Sequence, residues 1–233
     1  MPKGHPKNGR RAPGAGRPKG NKPCLVVRGS RSTQSVQKKD DGQISRKPLL
    51  VGVVGGPGSG KNTLCRLLVA DFDFEHLDIE KLMCEEVELG TSLGREIKSN
   101  LQEQNAEAIS SQLLKNAVAR KHQANNFFLG GFPRSLEQAR FIEQEIGPLC
   151  CVVFLETSFY TMAERIKERD GLAMVERKAR AFVHKTWPVI EHYTDTGTIC
   201  VVQADQSATS VAAEVKFYLG HILMAEGFGY SLK

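Results

Sequence analysis

Apolar residues in this chain follow two rhythms: short dense runs, and longer stretches in which they recur every three or four positions. The dense runs are Leu49 to Val54, Phe74 to Leu77, Asn126 to Leu129, Cys150 to Leu155 and Ile199 to Val202. Runs of this length, bounded by glycine or polar clusters, suit strands buried on both faces of a parallel sheet. The spaced stretches predict helices over Lys61 to Asp71, Ile79 to Glu88, Arg95 to Gln104 and Ala106 to Arg120. Further helices are predicted over Leu136 to Glu145, from Ser158 to Arg169, from Met174 to Thr194 with a break at Pro188, and from Ser207 to Met224. Ser135 and Ser158 stand where N-caps belong, Gly90 and Gly94 punctuate the segment after Glu88, and Gly147-Pro148 ends a helix. Strand and helix alternate throughout. That alternation predicts an α/β fold, a five-stranded parallel sheet wrapped by helices through right-handed crossovers.

The first run leads into the richest chemistry. Leu49 to Cys65 reads LLVGVVGGPGSGKNTLC, with a G-x-x-x-x-G-K core from Gly55 to Lys61. Glycines between a strand and a helix let successive N–H groups converge on an anion, and the following helix aims its positive end at the same point. This is the pattern of a phosphate-binding loop. Gly55, Pro57, Gly58, Ser59, Gly60, Lys61, Asn62 and Thr63 are therefore candidate nucleotide contacts, with Lys61 as the point charge on the outer phosphates. A strict loop places Ser or Thr directly after the lysine; Asn62 stands there, and the hydroxyl comes one residue later at Thr63.

Charge changes the picture in one respect. The net charge of +6 over 233 residues is the sum of unlike parts. Residues 1–48 hold thirteen Lys and Arg against two acids, giving +11, and the remainder holds 19 against 24, giving −5. A basic tail thus precedes a mildly acidic domain spanning 49–227, with a short end at 228–233. Six of the ten prolines lie in that tail, which has no apolar period and reads as disordered. Its Gly16-Arg17-Pro18 core loosely resembles an AT-hook, but Ala15 precedes it where an arginine belongs; weak nonspecific attraction to nucleic acid is the favoured reading. No apolar run approaches the ~20 residues of a membrane helix, and the N-terminus lacks a secretory apolar stretch. The expectation is a cytoplasmic monomer with no membrane partner, the basic tail leaving a nuclear location open. The six cysteines form no C-x-x-C pair and read as reduced packing residues.

Beyond the loop, a strand leads into Gly131-Phe132-Pro133-Arg134 with Gln138 four residues on, followed by Ala163 to Arg169, reading AERIKER, and Pro188-Val189-Ile190. In this order the motifs resemble adenylate kinase and its nucleoside monophosphate kinase relatives over residues 49 to 224. The resemblance implies a P-loop three-layer fold with a small helical flap over the monophosphate, about 78–121, and a short lid, about 169–176. It implies phosphoryl transfer from ATP, carried with Mg²⁺, to AMP or a related monophosphate, with no covalent nucleophile and no metal-ligating side chain. Lys61, Arg134, Arg165 and Arg169 would be the catalytic cations: Arg134 a bidentate fork on the monophosphate, Arg165 and Arg169 a clamp on the ATP phosphates. Gln138 would read the adenine edge, and Ile79 would stand where the family's threonine meets the base.

Departures accompany these matches. Gly130 replaces the aspartate that orients Mg²⁺ through water, Ile79 replaces the threonine, and Cys84 replaces a flap arginine. Asp78 and Glu80 bring acids near an anionic substrate, Glu107 and Ala108 replace an apolar-Pro pair near the base pocket, and the lid is shortened and lacks its arginine. The expectation is a kinase of reduced activity. The alternatives are a nucleotide-binding protein that has lost phosphotransfer and serves as sensor or scaffold, and a factor tethered to nucleic acid by its tail.

Overall fold

A computed structural model of the chain describes residues 48–99, 103–121 and 126–225. The basic tail at 1–47 and the end at 226–233 lie outside the described residues, and with them the AT-hook-like core. Five parallel strands, β1 (Leu49–Gly55), β2 (Glu75–Asp78), β3 (Asn126–Gly130), β4 (Leu149–Glu156) and β5 (Ile199–Gln203), lie in the order β2-β3-β1-β4-β5. The chain leaves β1 for one flank and later returns to the other. The crevice beyond the carboxyl end of β1 is therefore a topological switch point, where such sheets bind ligands.

Each strand of the interior buries both faces because its alternate side chains enter different cores. Val51 and Val53 of β1 join Cys65 and Leu68 of α1 (Lys61–Val69) and Val211, Val215 and Leu219 of α9 (Ala208–Ala225). Leu50 and Val54 point the other way, into a cluster with Leu114 of α4 (Glu103–Arg120), Ile142 of α5 (Leu136–Glu145) and Val189 of α8 (Trp187–Asp195). These are the three layers expected. Cys65, Cys151 and Cys200 are buried as packing residues within the first cluster.

Two smaller units stand at the carboxyl edge of the sheet. Helices α2 (Ile79–Glu88) and α3 (Ser92–Ser99) pack with the start of α4 around Ile97, Ile109 and Leu113. Helices α6 (Phe159–Asp170) and α7 (Leu172–Lys185) form a hairpin held by Ala163, Ile166 and Val175. Ser135 and Ser158 cap α5 and α6 as expected, accepting from the N–H groups of Gln138 and Thr161.

The structure moves one helix. The segment expected from Arg95 begins at Ser92, because the Thr91 hydroxyl accepts from the Gly94 N–H at 2.9 Å and starts α3 early. Gly94 is helical, contrary to its reading as punctuation. A Cβ there would lie 1.9 Å from the Glu86 carbonyl oxygen, so glycine is what lets α2 and α3 touch. The long helix after the α6–α7 turn divides at Thr186, with Pro188 in the first turn of α8, where a missing N–H costs nothing.

Candidate functional site

The loop between β1 and α1 has the backbone its glycines foretell. Gly58 and Gly60 adopt φ of 70° and 94°, and a Cβ at Gly55 would lie 2.6 Å from the Ser59 hydroxyl. No side chain caps α1 and no acid lies in its first turn, so the helix presents bare N–H groups and an unneutralised positive end. Asn62 and the exposed Thr63 lie in that first turn. Lys61 folds back over the loop, its Nζ donating to the carbonyls of Gly55 at 2.9 Å and Gly56 at 2.8 Å. Burial lowers its pKa to about 8, and the neighbouring Arg134 charge pushes the same way, against Glu80, Cys65 and Asp78.

Arg134 meets Lys61 from the opposite side. The turn after β3 brings it there: the Gly131 N–H donates to the Val53 carbonyl at 2.8 Å, and the Phe132–Pro133 peptide is cis. The guanidinium Nε donates back to the Gly131 carbonyl at 2.9 Å. A Cβ at Gly131 would lie 3.5 Å from Arg134 Nη2 and 3.7 Å from Lys61 Cε. Two cations therefore converge over one glycine at the switch point. An acid already faces them, since Glu80 Oε1 lies 3.1 Å from Arg134 Nη2 and its field also reaches Lys61 and Arg169.

The adenylate kinase family model matches residues 53–198, a span that holds the loop, the cation pair and the α6–α7 hairpin. The chain belongs to the adenylate kinase family. Adenylate kinase 1 of Schistosoma mansoni is 31% identical over 186 residues, 74% of this chain and 93% of that protein. A UMP-CMP kinase of Lentinula edodes is 28% identical over 199 residues, covering 76% of this chain and 88% of its own. A uridylate kinase of Saccharomyces cerevisiae is 31% identical over 180 residues, covering 72% and 88%.

Other residues singled out from the adenylate kinase motifs occupy less expected positions. Arg165 works as a brace for the loop: it donates to Gly58 at 3.2 Å, and to Ala204 at 2.9 Å and Gln206 at 3.3 Å in the turn after β5. Arg169, one turn on, is forked onto Asp170 at 2.7 and 3.2 Å. Lys178 joins them at 2.7 Å, and Asp170 is held far below the usual carboxylate range by Arg169 first and Lys178 second. Gln138, expected to offer its amide to a base, is 2% exposed. Its Oε1 accepts from the Arg134 N–H at 2.8 Å, and its Nε2 donates to Ser110 Oγ at 2.9 Å and the Glu107 carbonyl at 3.4 Å. Ile79, 2% exposed, joins Leu77 and Phe132 in the core, because an apolar side chain there gains more from burial than from a cleft wall.

Several residues of this adenylate kinase-like site have partners or surroundings that the sequence did not show. Asp78 and Glu80, both expected as acids near the substrate, divide the work: Asp78 caps α2, its Oδ1 accepting from Glu80 at 3.0 Å and Lys81 at 3.3 Å, and Glu80 pairs with Arg134. Glu107 accepts from Ser135 Oγ at 2.9 Å and pairs with Lys185 at 3.3 Å, beside a cavity of about 790 Å³ between α3, α4 and α5. His76 turns its buried Nε2, which has no partner, toward Gly130, where a Cβ would meet it at 2.5 Å. Burial lowers the His76 pKa.

Proposed function

We propose that this protein is a nucleoside monophosphate kinase, moving the γ-phosphoryl group of ATP to AMP first among acceptors, at a reduced rate. The observation that carries the reading is the convergence of Lys61 and Arg134 over Gly131, beside the bare N-terminus of α1. Charge spreads over the moving phosphoryl oxygens in such a transfer, and fixed cations with N–H donors lower its barrier without a covalent intermediate. The loop amides and Lys61 hold the ATP phosphates, Arg165 keeps the loop in place, and Arg134 offers a planar fork to the incoming monophosphate. Helices α2 to α4 form the monophosphate flap, and the turn between α6 and α7, about 169–176, forms the short lid.

The Mg²⁺ that travels with ATP neutralises phosphate charge. Mg²⁺ takes hard oxygen donors and retains several waters. The Thr63 hydroxyl and the Asp78 carboxylate beside the loop are donors of that kind and fit it. Base choice falls to the cavity next to Gln138 and Glu107. Adenine suits it because its exocyclic amine can donate to the Glu107 carboxylate.

A second reading, nucleotide binding without transfer, draws its support from Glu80 facing Arg134 and from the bare Gly130. A coupled assay with ATP, Mg²⁺ and AMP, run beside Lys61→Ala, separates the two. AMP-dependent ADP formation that disappears in Lys61→Ala is expected. ATP binding by calorimetry with no ADP formed selects the second reading instead.

A further inference from the structure

The end of β3 offers no acid and no room for one. A Cβ at Gly130 would lie 2.5 Å from His76 Nε2 and 3.3 Å from Asn62 Oδ1, so the imidazole and the amide fill the space a side chain would need. The neighbouring strand end is different. Asp78 is the register partner of Gly130, one strand spacing away, about 4.8 Å. Its Oδ2 accepts from Asn62 Nδ2 at 2.7 Å, and its Oδ1 is fixed by the first N–H groups of α2. Asn62 follows Lys61 directly, so this bond ties the carboxylate to the first turn of α1, and the Asp78 charge is felt at both Lys61 and His76. An ionised carboxylate has about four acceptor positions. Three are used here, which leaves one for a further donor.

Resting on the kinase reading, we propose that Asp78, held in place by Asn62, orients the hydrated divalent cation of the bound ATP, the task the bare Gly130 cannot perform. Two departures from the family pattern, Asn62 and Gly130, then become one arrangement. The acid has moved one strand across the sheet, and the residue after the loop lysine has become the amide that positions it. A hydrated Mg²⁺ accepts this because it is held through one or two carboxylates with water completing its shell.

The test is Asp78→Asn. Asparagine caps a helix as well as aspartate, and by rotating its amide Asn62 can bond to it, so the variant removes the charge and little else. Mn²⁺ binding to the protein–ATP complex, read by electron paramagnetic resonance, should weaken about tenfold or more, as for other residues that orient a metal from its outer shell. ATP binding in EDTA should be unchanged or tighter. Asn62→Gly, which leaves the acid but frees it, should give a smaller loss of Mn²⁺ affinity. Adding His76→Ala and Gly130→Asp to Asp78→Asn should recover affinity by restoring an acid at β3. If the unaltered protein binds no ATP, this proposal falls together with the kinase reading. If it binds ATP and Asp78→Asn holds Mn²⁺ as tightly, this proposal alone is overturned.

Discussion

Replacing Glu80 by glutamine should strengthen binding of the monophosphate. Its carboxylate lies 3.1 Å from Arg134 Nη2, and its side chain is 74% exposed against 46% for the arginine. An exposed pair of this kind is worth about 0.2–1 kcal/mol, and an incoming phosphate must displace it. A phosphate seated on the same guanidinium would lie about 5–6 Å from the carboxylate, where a dianion is repelled by about 1.5 kcal/mol in water before salt screening. Together the terms amount to about 1–2 kcal/mol, or roughly 5- to 30-fold in affinity. The assay is calorimetric titration of AMP into Glu80→Gln and the unaltered protein at 20 and 300 mM salt, which is independent of turnover. The gain should shrink at the higher salt. An unchanged AMP affinity at 20 mM salt would refute the reasoning, because it would mean that the phosphate does not bind at Arg134.

Lys61 loses its proton near 8 in the folded protein and near 10.5 when unfolded. Between those values the unfolded chain binds more protons, so stability of the nucleotide-free protein should rise from about pH 8 toward 10.5 while ATP affinity falls; urea melts of Lys61→Met should show no such rise. Arg165→Ala should loosen the loop from the turn after β5, weaken ATP binding, and cost about 1–2 kcal/mol of stability; full rescue by Arg165→Lys would contradict a role that needs the guanidinium fork. Leu114, fully buried between α4 and the sheet, should cost about 2–5 kcal/mol in urea unfolding when cut to alanine, with the loop chemistry unchanged. Glu107→Gln should lower discrimination in favour of amino-bearing bases across a panel of AMP, CMP, GMP and UMP, since the carboxylate beside Gln138 loses its charge while its bond from Ser135 can persist.

Local features were legible because they are written in the backbone. Glycine spacing from Gly55 to Gly60 dictates a left-handed loop whatever lies around it, and the dense apolar runs could satisfy their side chains only inside a sheet. Ser135 and Ser158 capped where expected because capping joins residues three apart. Where the reading failed, the cause lay across space. Gly94 read as a break because its Cβ-free contact with Glu86 belongs to a neighbouring helix. Ile79 stands where the family resemblance puts a base-contacting threonine, and its neighbours in space are core residues. Gln138 kept its position after the arginine turn, but the partners of its amide come from α4, and sequence spacing does not reveal them.

From its sequence alone this protein had a layered parallel fold, a loop able to hold phosphate, and an arginine at the following strand end. Those follow from periodicity and short-range backbone geometry, which act over a few residues. Only tertiary structure decided that Glu80 and Arg134, 54 residues apart, would face each other, and that Arg165 would brace the loop. It also decided that Asp78 would stand beside Gly130 with Asn62 holding it. These pairings depend on strand register and on which helix ends meet at the sheet edge. A shift of one residue in that register would exchange every neighbour while leaving the local pattern almost unchanged.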